Sequence, residues 1–493
     1  DSVTEIGGNA FSNCANLSQV SLSKKLTCIR SNAFYNCDSL TEIEIPKSLQ
    51  SVGMANYIYS GPFSNCDGLK NIKFEEGTTQ IVSYLFEKCT GLEEITIPDT
   101  VTFIGGAAFN ECAELRRISI ANSVTEIGSS AFSDCSKLTD INIPDSVIEI
   151  GDYAFENCTN LPQITLPDSV TSMGTYIFSG CSNLREAILP NIRINITEGT
   201  FKNCSSLGKV NFPETLEAIR SYAFCNTKLS EVILPNKLTE IESYAFYNCD
   251  ALTKLVIPDS VTTMGTYIFA DCELLSDVTL GTGITTIPSY AFNLCPSLQK
   301  IVLPYRTATI NSNAFTNCTS LTEITIPRAT TTIASGVFSY PARLTVYGVT
   351  GTYAETYANN IGATFINQET RATEVKLSAT DLKLTKGSKA TLYLSVAPSN
   401  FTDEVTWKST DTNIATIEDT GIVTAKAIGT ATVKVTVGDI SASCKITVTQ
   451  PVTSISLNKT SLSLEAWDTE KLTASVSPST AENKAVLWMI QAL

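Results

Sequence analysis

The sequence predicts a β-rich fold: a right-handed solenoid built on a curved parallel sheet, followed by a C-terminal β-sandwich. Three observations carry this. A unit of 23 residues recurs 15 times between residue 1 and about Tyr347. From Ala372 onward the apolar pattern changes to a period of two. Between the two patterns, residues 351–362 (GTYAETYANNIG) read as one short helix. A period in this range belongs to solenoids, in which each unit buries its apolar face only against its neighbours.

The unit is clearest at residues 122–144, NSVTEIGSSAFSDCSKLTDINIP. Its marker is a Phe, found at 11, 34, 63, 86, 109, 132, 155, 178, 201, 224, 246, 269, 292, 315 and 338. Six residues are added before Phe63 and one is missing before Phe246. Leu138, Ile141 and Ile143 form L-x-x-I-x-I, the short strand of a leucine-rich repeat. Ile141 and Ile143 point inward and Asp140 and Asn142 outward, since side chains alternate along a strand. Pro144 ends the strand, because it has no N–H to donate. Val124 and Ile127 begin the return path, Gly128 permits a turn, and Ala131-Phe132 puts a large ring back inside.

These residues resemble the BspA-like leucine-rich repeats, with their I-P-x-S-V-T-x-I-G-x-x-A-F-x-x-C-x-x-L pattern. The resemblance covers residues 1–347. It implies a bacterial-type surface or secreted protein that binds host or partner molecules, without catalysis. Similar arrays occur in some protists. Residues 348–370 are expected to form a helical cap and linker, with Thr352 and Glu355 as a capping box and Gly362 at the helix end. Residues 371–450 resemble a bacterial Ig-like domain of group 2, on Pro398, Trp407-Lys-Ser-Thr, Ile414-Ala-Thr-Ile417, Gly421-Ile-Val-Thr424 and Gly429-Thr-Ala-Thr432. Trp407 is its expected core tryptophan. Residues 451–493 repeat the pattern at an offset of 80 and stop near Trp488. Half a sandwich cannot bury a core, so exposed strand edges or poor order are expected there.

Composition removes several classes of function. A formal charge of −15 opposes binding to nucleic acid or anionic membrane surfaces. No run of 18 apolar residues is present, so no segment inserts directly into a membrane. There is no His, hence no Ser-His-Asp or Cys-His site. No cofactor, metal site or catalytic set is expected. The chain opens in mid-repeat, so a preceding strand, cap and signal peptide are expected to be missing. Thirteen of the 16 Cys lie three residues after the marker Phe, from Cys14 to Cys318. Stacking puts them in one row about 4.8 Å apart, with parallel Cβ vectors at more than the ~3.8 Å a disulfide prefers. All thirteen are expected to be reduced, buried and to act as small hydrophobes. Cys28, Cys225 and Cys444 stand outside the row. The seven N-x-S/T sequons are weak evidence for glycosylation, several being by-products of the repeat.

Function should lie where the repeat does not dictate the residue. Eight after the marker Phe, or seven for Glu231 in the shortened repeat, the row Glu186, Lys209, Glu231, Lys254, Asp277, Lys300, Glu323 alternates in sign and reads as a register device on the concave face. Beside it the candidate contact residues are Ile188, Ile233, Val256 and Val302, where the first half of the array carries mostly polar residues. An apolar row beside a neutralised ladder suits a protein partner; drift among strand-forming residues is the structural alternative. Two before the marker, Tyr153, Tyr176, Tyr222, Tyr244, Tyr267 and Tyr290 form a strip. Such rings can stabilise one another by stacking or bind glycan or peptide. The insertion carries Tyr57, Ile58 and Tyr59, either a binding loop or a tolerated bulge. The reading is a monomeric, non-enzymatic adhesion module, secreted or at the cell surface, with a protein or glycan partner. The alternatives are the binding region of a larger secreted polysaccharide hydrolase and an intracellular scaffold.

Overall fold

A computed structural model of the chain describes residues 2–53, 60–464, 469–478 and 486. It divides into two units, Asp1–Ile366 and Asn367–Leu493. The first is a parallel β-solenoid, as the period requires. The apolar residues of its turns merge into one continuous core. Neighbouring turns are tied to one another on up to three sides, with interruptions in both ladders. On the strand side, Arg117–Ser119 pairs in parallel with Glu94–Thr96 and with Asp140–Ile141, in 23-residue register. On the return side, Glu126–Ile127 pairs with Phe103–Ile104 and Glu149–Ile150.

The third side, around the marker Phe, has no extended strand. Its N–H groups nevertheless reach the following turn: Ser130 N–H to the Asp152 carbonyl at 2.7 Å, Phe132 to Ala154 at 2.8 Å, and Asp134 to Glu156 at 2.7 Å. Left-handed residues two before and two after the marker direct these bonds. Ser130 and Asp134 have φ of 55° and 59°. The second position is often Asn, which tolerates that region through its short polar side chain.

The 15 marker rings form an unbroken stack from Phe11 to Phe338, with centroids 5.1–5.8 Å apart, buried except for Phe11, which is exposed, and Phe338, which is half-buried. The stack continues across the shortened repeat, at 5.2 Å between Phe224 and Phe246. Beside it runs the cysteine row. Twelve of its thirteen members are buried, and Cys14 is exposed, contrary to expectation. Cys14 sits in the first turn of the chain, where only one neighbouring turn covers it. The thiols do more than fill space. Each of the twelve donates from Sγ to the carbonyl of the preceding turn's marker Phe, at 3.0–3.4 Å. The Phe132 carbonyl, for instance, accepts both Cys135 N–H and Cys158 Sγ, each at 3.3 Å. In the shortened repeat Thr227 takes the place of the cysteine and donates to the Phe224 carbonyl at 2.9 Å. Burial pushes the Cys112 and Cys181 thiols up to about 12.

The solenoid closes on the helix Tyr353–Ile361, which turns Ala354 and Ala358 into the core and ends at Gly362 with φ 73°. Its start differs from a capping box. Thr352 Oγ1 donates to the Val349 carbonyl at 2.6 Å, so it caps no helical N–H, while Glu355 accepts from Gly351 N–H at 2.7 Å. The Val349 carbonyl also accepts Thr352 N–H at 3.2 Å, so the hydroxyl closes the turn that precedes the helix.

In the second unit Asp381–Thr385, Ile440–Thr449, Gly429–Val437 and Val405–Ser409 form one sheet. Lys389–Thr391, Ile422–Ala425 and Ala415–Ile417 form another. Trp407, Val433, Val435, Cys444 and Ile446 are buried between alternating outward residues, the arrangement of an Ig-like sandwich. Beyond it, Ser454–Leu457 pairs antiparallel with Ala474–Ser477 and leaves Ile455, Leu457, Leu462 and Leu464 exposed.

Candidate binding faces of the repeat array

The outward residues of the strand side form the first candidate face. The charge row forms ion pairs at two of its registers: Lys209 Nζ lies 2.5 Å from Glu186 and Lys254 Nζ 2.9 Å from Glu231. The bond to Glu231 raises the Lys254 pKa. The alternation also extends toward the N-terminus. Glu94, Arg117 and Asp140 are in register, with Arg117 3.7 Å from Asp140, and neutral Gln163 then precedes Glu186. Pairs this exposed add little stability. Their effect is to cancel the field along the face.

The four apolar candidates are not one patch. Ile233 and Val256 face each other across adjacent strands, with Thr279 next in register. Ile233 is 53% exposed and Val256 half-buried. Val302 lies further along, beside Thr325 and then Tyr347. Tyr347 thus ends the row with an aromatic ring, which the sequence reading missed because the last turn is one residue shorter. Ile188 is 41% exposed but stands apart. Between it and Ile233 lies Asn211, whose side chain accepts from Leu189 N–H at 2.6 Å and donates to the Leu189 carbonyl at 3.1 Å. That polar clamp interrupts the row.

The tyrosine strip forms the second face. Tyr153 and Tyr176 stack, as do Tyr222, Tyr244, Tyr267 and Tyr290, with centroids 4.3–5.3 Å apart and planes within 8°. All six have left-handed backbone, φ 55–60°. An L-residue pays roughly 1–2 kcal/mol there, so stacking must offset a real backbone cost. Stacking also covers the ring faces, leaving edges and hydroxyls to solvent. The gap at Gly199 is filled from within the chain. Lys202 Nζ lies 5.6 Å from the Tyr176 ring centroid and 4.9 Å from that of Tyr222, a cation bridging the two halves of the strip. Tyr176 also donates to Glu198 at 2.8 Å, and burial and that carboxylate raise its pKa. Tyr57, Ile58 and Tyr59 lie outside the described residues.

Comparison with known proteins follows this geometry. The family model described as BspA type Leucine rich repeat region (6 copies) matches residues 1–58, 56–158, 125–253 and 239–352. The chain belongs to the BspA-type leucine-rich repeat family. Residues 371–448 match the Bacterial Ig-like domain (group 2).

The BspA-type chain is similar to an uncharacterized protein of Clostridium acetobutylicum, 35% identical over 142 residues, 28% of this chain and 14% of that protein. It is also similar to a lacto-N-biosidase of Bifidobacterium bifidum, 44% identical over 70 residues, 14% of this chain and 6% of that protein. The match thus spans a small part of each curated relative. Among solved structures, a leucine-rich repeat protein from Bacteroides ovatus is similar at a TM-score of 0.46 and 26% identity, covering 67% of this chain and 92% of that one. No helix among the described residues of the BspA-type chain is long and apolar enough to cross a membrane. Among the same residues no group of three or more Cys, Asp or Glu is placed to hold a metal ion.

Proposed function

We propose that this BspA-type array is a non-enzymatic binding and adhesion module, secreted or held at the cell surface, that works as a monomer and contacts a protein partner through its strand side. The observation that supports it is the pair Ile233 and Val256, in register on neighbouring strands and outward. The charges beside them are already paired. A partner that covers this patch buries apolar area without stranding a charge. Each such side chain, fully buried, contributes about 1.5–3 kcal/mol. Val302 and Tyr347 extend the contact along the same side; Ile188 adds a separate one. The tyrosine strip, with its ring faces stacked on one another, is the weaker candidate for a planar ligand.

The experiment screens the full chain against a panel of immobilised extracellular proteins. Ile233→Asp with Val256→Asp is compared with Tyr244→Ala with Tyr267→Ala, at matched thermal stability. The reading expects the Asp pair to weaken binding roughly tenfold or more, and the Tyr pair to leave it unchanged. Loss only in the Tyr pair would move the site to the strip.

A second reading is favoured by the similarity to the lacto-N-biosidase: the array as the non-catalytic binding region of a larger secreted enzyme acting on polysaccharide. A hydrolase domain in the same reading frame would decide for it.

A further inference from the structure

One turn of the array departs from the rest, and its departure opens a groove. Eight residues before the marker Phe the repeat places an inward aliphatic residue: Val101, Val124, Val147, Val170, then Leu216, Leu238 and Val261, each fully buried. In the turn that ends at Phe201 this position is Arg193. A guanidinium cannot enter the apolar core unpaired. The side chain is 79% exposed instead, and its neighbour Ile194, 8% exposed, lines the opening beside it. A second change follows four residues on. Gly174 approaches the preceding turn so closely that a Cβ would lie 2.3 Å from Asp152 N. The equivalent residue in the departing turn is Thr197, whose hydroxyl donates to the Gly174 carbonyl.

Beside this turn the return-side ladder breaks: it runs from Gln80–Ile81 to Ser172–Met173 and resumes at Ala218–Ile219, with further interruptions between Ser51–Gly53 and Gln80–Ile81 and between Thr263–Met264 and Thr286–Ile287. Gly174 N–H reaches Ile150 at 2.8 Å on one side of the break, and Ile196 N–H reaches Ala218 at 3.1 Å on the other. Among the described residues no backbone hydrogen bond joins 171–174 to 193–197. The carbonyls of Thr171 and Met173 and the N–H groups of Asn195 and Thr197 thus lack the inter-turn partners that their equivalents have. Between them lies a groove of about 460 Å³, lined by Thr171, Ser172, Met173, Arg193, Ile194, Asn195, Thr197 and Glu217. Arg193 bridges its far edge to Glu217 with a two-pronged ion pair, 2.9 and 3.0 Å.

We infer that this groove is a binding site for a neutral sugar unit, separate from the strand-side contact. Its shape excludes a peptide strand. The same two turns stay in contact on the strand side through Thr165 and Ile188, and around the marker through Tyr176 N–H to Glu198 at 2.7 Å. The opening is a wedge on one side only, whereas an inserted strand needs about 4.8 Å of new separation along its whole length. Its walls present donors and acceptors together, which sugar hydroxyls match because each does both. Its only two charges cancel in the Arg193–Glu217 pair, so the groove selects neither anion nor cation. Met173 and Ile194 supply apolar surface for the C–H face of a ring. The volume lies in the usual range for small-ligand sites, about 300–1,000 Å³.

The test titrates the full chain with cellotriose, maltotriose and chitotriose, and with sialyllactose as an anionic probe, by calorimetry and saturation-transfer NMR. The key variant is Arg193→Val with Thr197→Gly, which restores the repeat and closes the ladder. It should gain thermal stability and bind the neutral trisaccharide roughly tenfold more weakly or not at all. Glu217→Gln, which frees Arg193 without touching the core, should also weaken binding. Ile233→Asp with Val256→Asp should leave it unchanged, so this site and the strand-side contact fail independently. Binding by none of the neutral sugars would overturn the inference. So would full affinity in both groove variants, or tighter binding of sialyllactose.

Discussion

The cysteine row offers a sharp test, because its two readings predict opposite orders for two substitutions. Cys158 is buried and donates from Sγ to the Phe132 carbonyl at 3.3 Å. That carbonyl also accepts Cys135 N–H at 3.3 Å, so removing the thiol does not leave it unpaired. Cys158→Ala then loses one weak hydrogen bond, worth about 0.5–1.5 kcal/mol net, and leaves a small void. Cys158→Ser keeps a donor, and the row already holds one buried hydroxyl, that of Thr227, which bonds the Phe224 carbonyl of its own turn. Ser should therefore be more stable than Ala by roughly 0.5–1.5 kcal/mol. If the row were only hydrophobic packing, the order would reverse, because an unsatisfied buried hydroxyl costs about 1–3 kcal/mol. Urea midpoints of the full chain, read at a marker of the array, compare the two. Ser below Ala by a kilocalorie or more refutes the hydrogen-bonded ladder.

The same thiols set an alkaline limit. Unfolded thiols titrate near 9 and the buried Cys112 and Cys181 near 12, so the folded state holds its protons longer. Stability from each is complete below about pH 9 and falls through the window up to 12, by up to about 1.4 kcal/mol per pH unit. Cys181→Ser should make that fall shallower in thermal melts between pH 8 and 11; an unchanged slope refutes the assignment. In the tyrosine strip, Tyr267→Gly should be more stable than Tyr267→Ala. Both lose the stacks at 4.8 and 4.3 Å, but only Gly removes the roughly 1–2 kcal/mol cost of φ 55°. Ala above Gly in melting temperature would show that the left-handed backbone costs nothing. Gly199→Ala should destabilise by about 1–3 kcal/mol, since its φ is 60° and a Cβ would meet the Tyr176 ring at 2.3 Å. A melt equal to wild type would refute the packing described around Lys202.

Much of this fold is legible in the sequence because a solenoid turns sequence spacing into spatial stacking. A residue repeated every 23 positions must form a row, so the Phe stack, the thiol row, the paired charges and the stacked tyrosines can all be read down a column. What the column hides is contact between different columns. The thiol's acceptor is a carbonyl 26 residues earlier, and no pattern of side chains reveals a backbone oxygen. The left-handed tyrosines are similar: Asn9, Asn32 and Asn313 occupy their column elsewhere, a signal visible only once the backbone is known. Lys202 filling the place vacated at Gly199 needs the geometry of both residues. Arg193 was readable. A charged residue in a column of Val and Leu marks a turn that cannot close normally. A change in length, as at the insertion before Phe63, is easier to see than this change in chemistry.

If the strand side of the array is the contact surface for a protein, a bound partner shields the carboxylates beside it. Carboxyl footprinting of the full chain, with and without the protein partner retained from the panel, tests it directly. Glu231, Asp277 and Glu323 lie exposed along the proposed contact, while Glu126 and Glu149 lie exposed on the return side. The account predicts that the partner slows labelling of Glu231 and Asp277 and leaves Glu126 and Glu149 unchanged. Protection of Glu126 and Glu149 with Glu231 and Asp277 still fully reactive would contradict it.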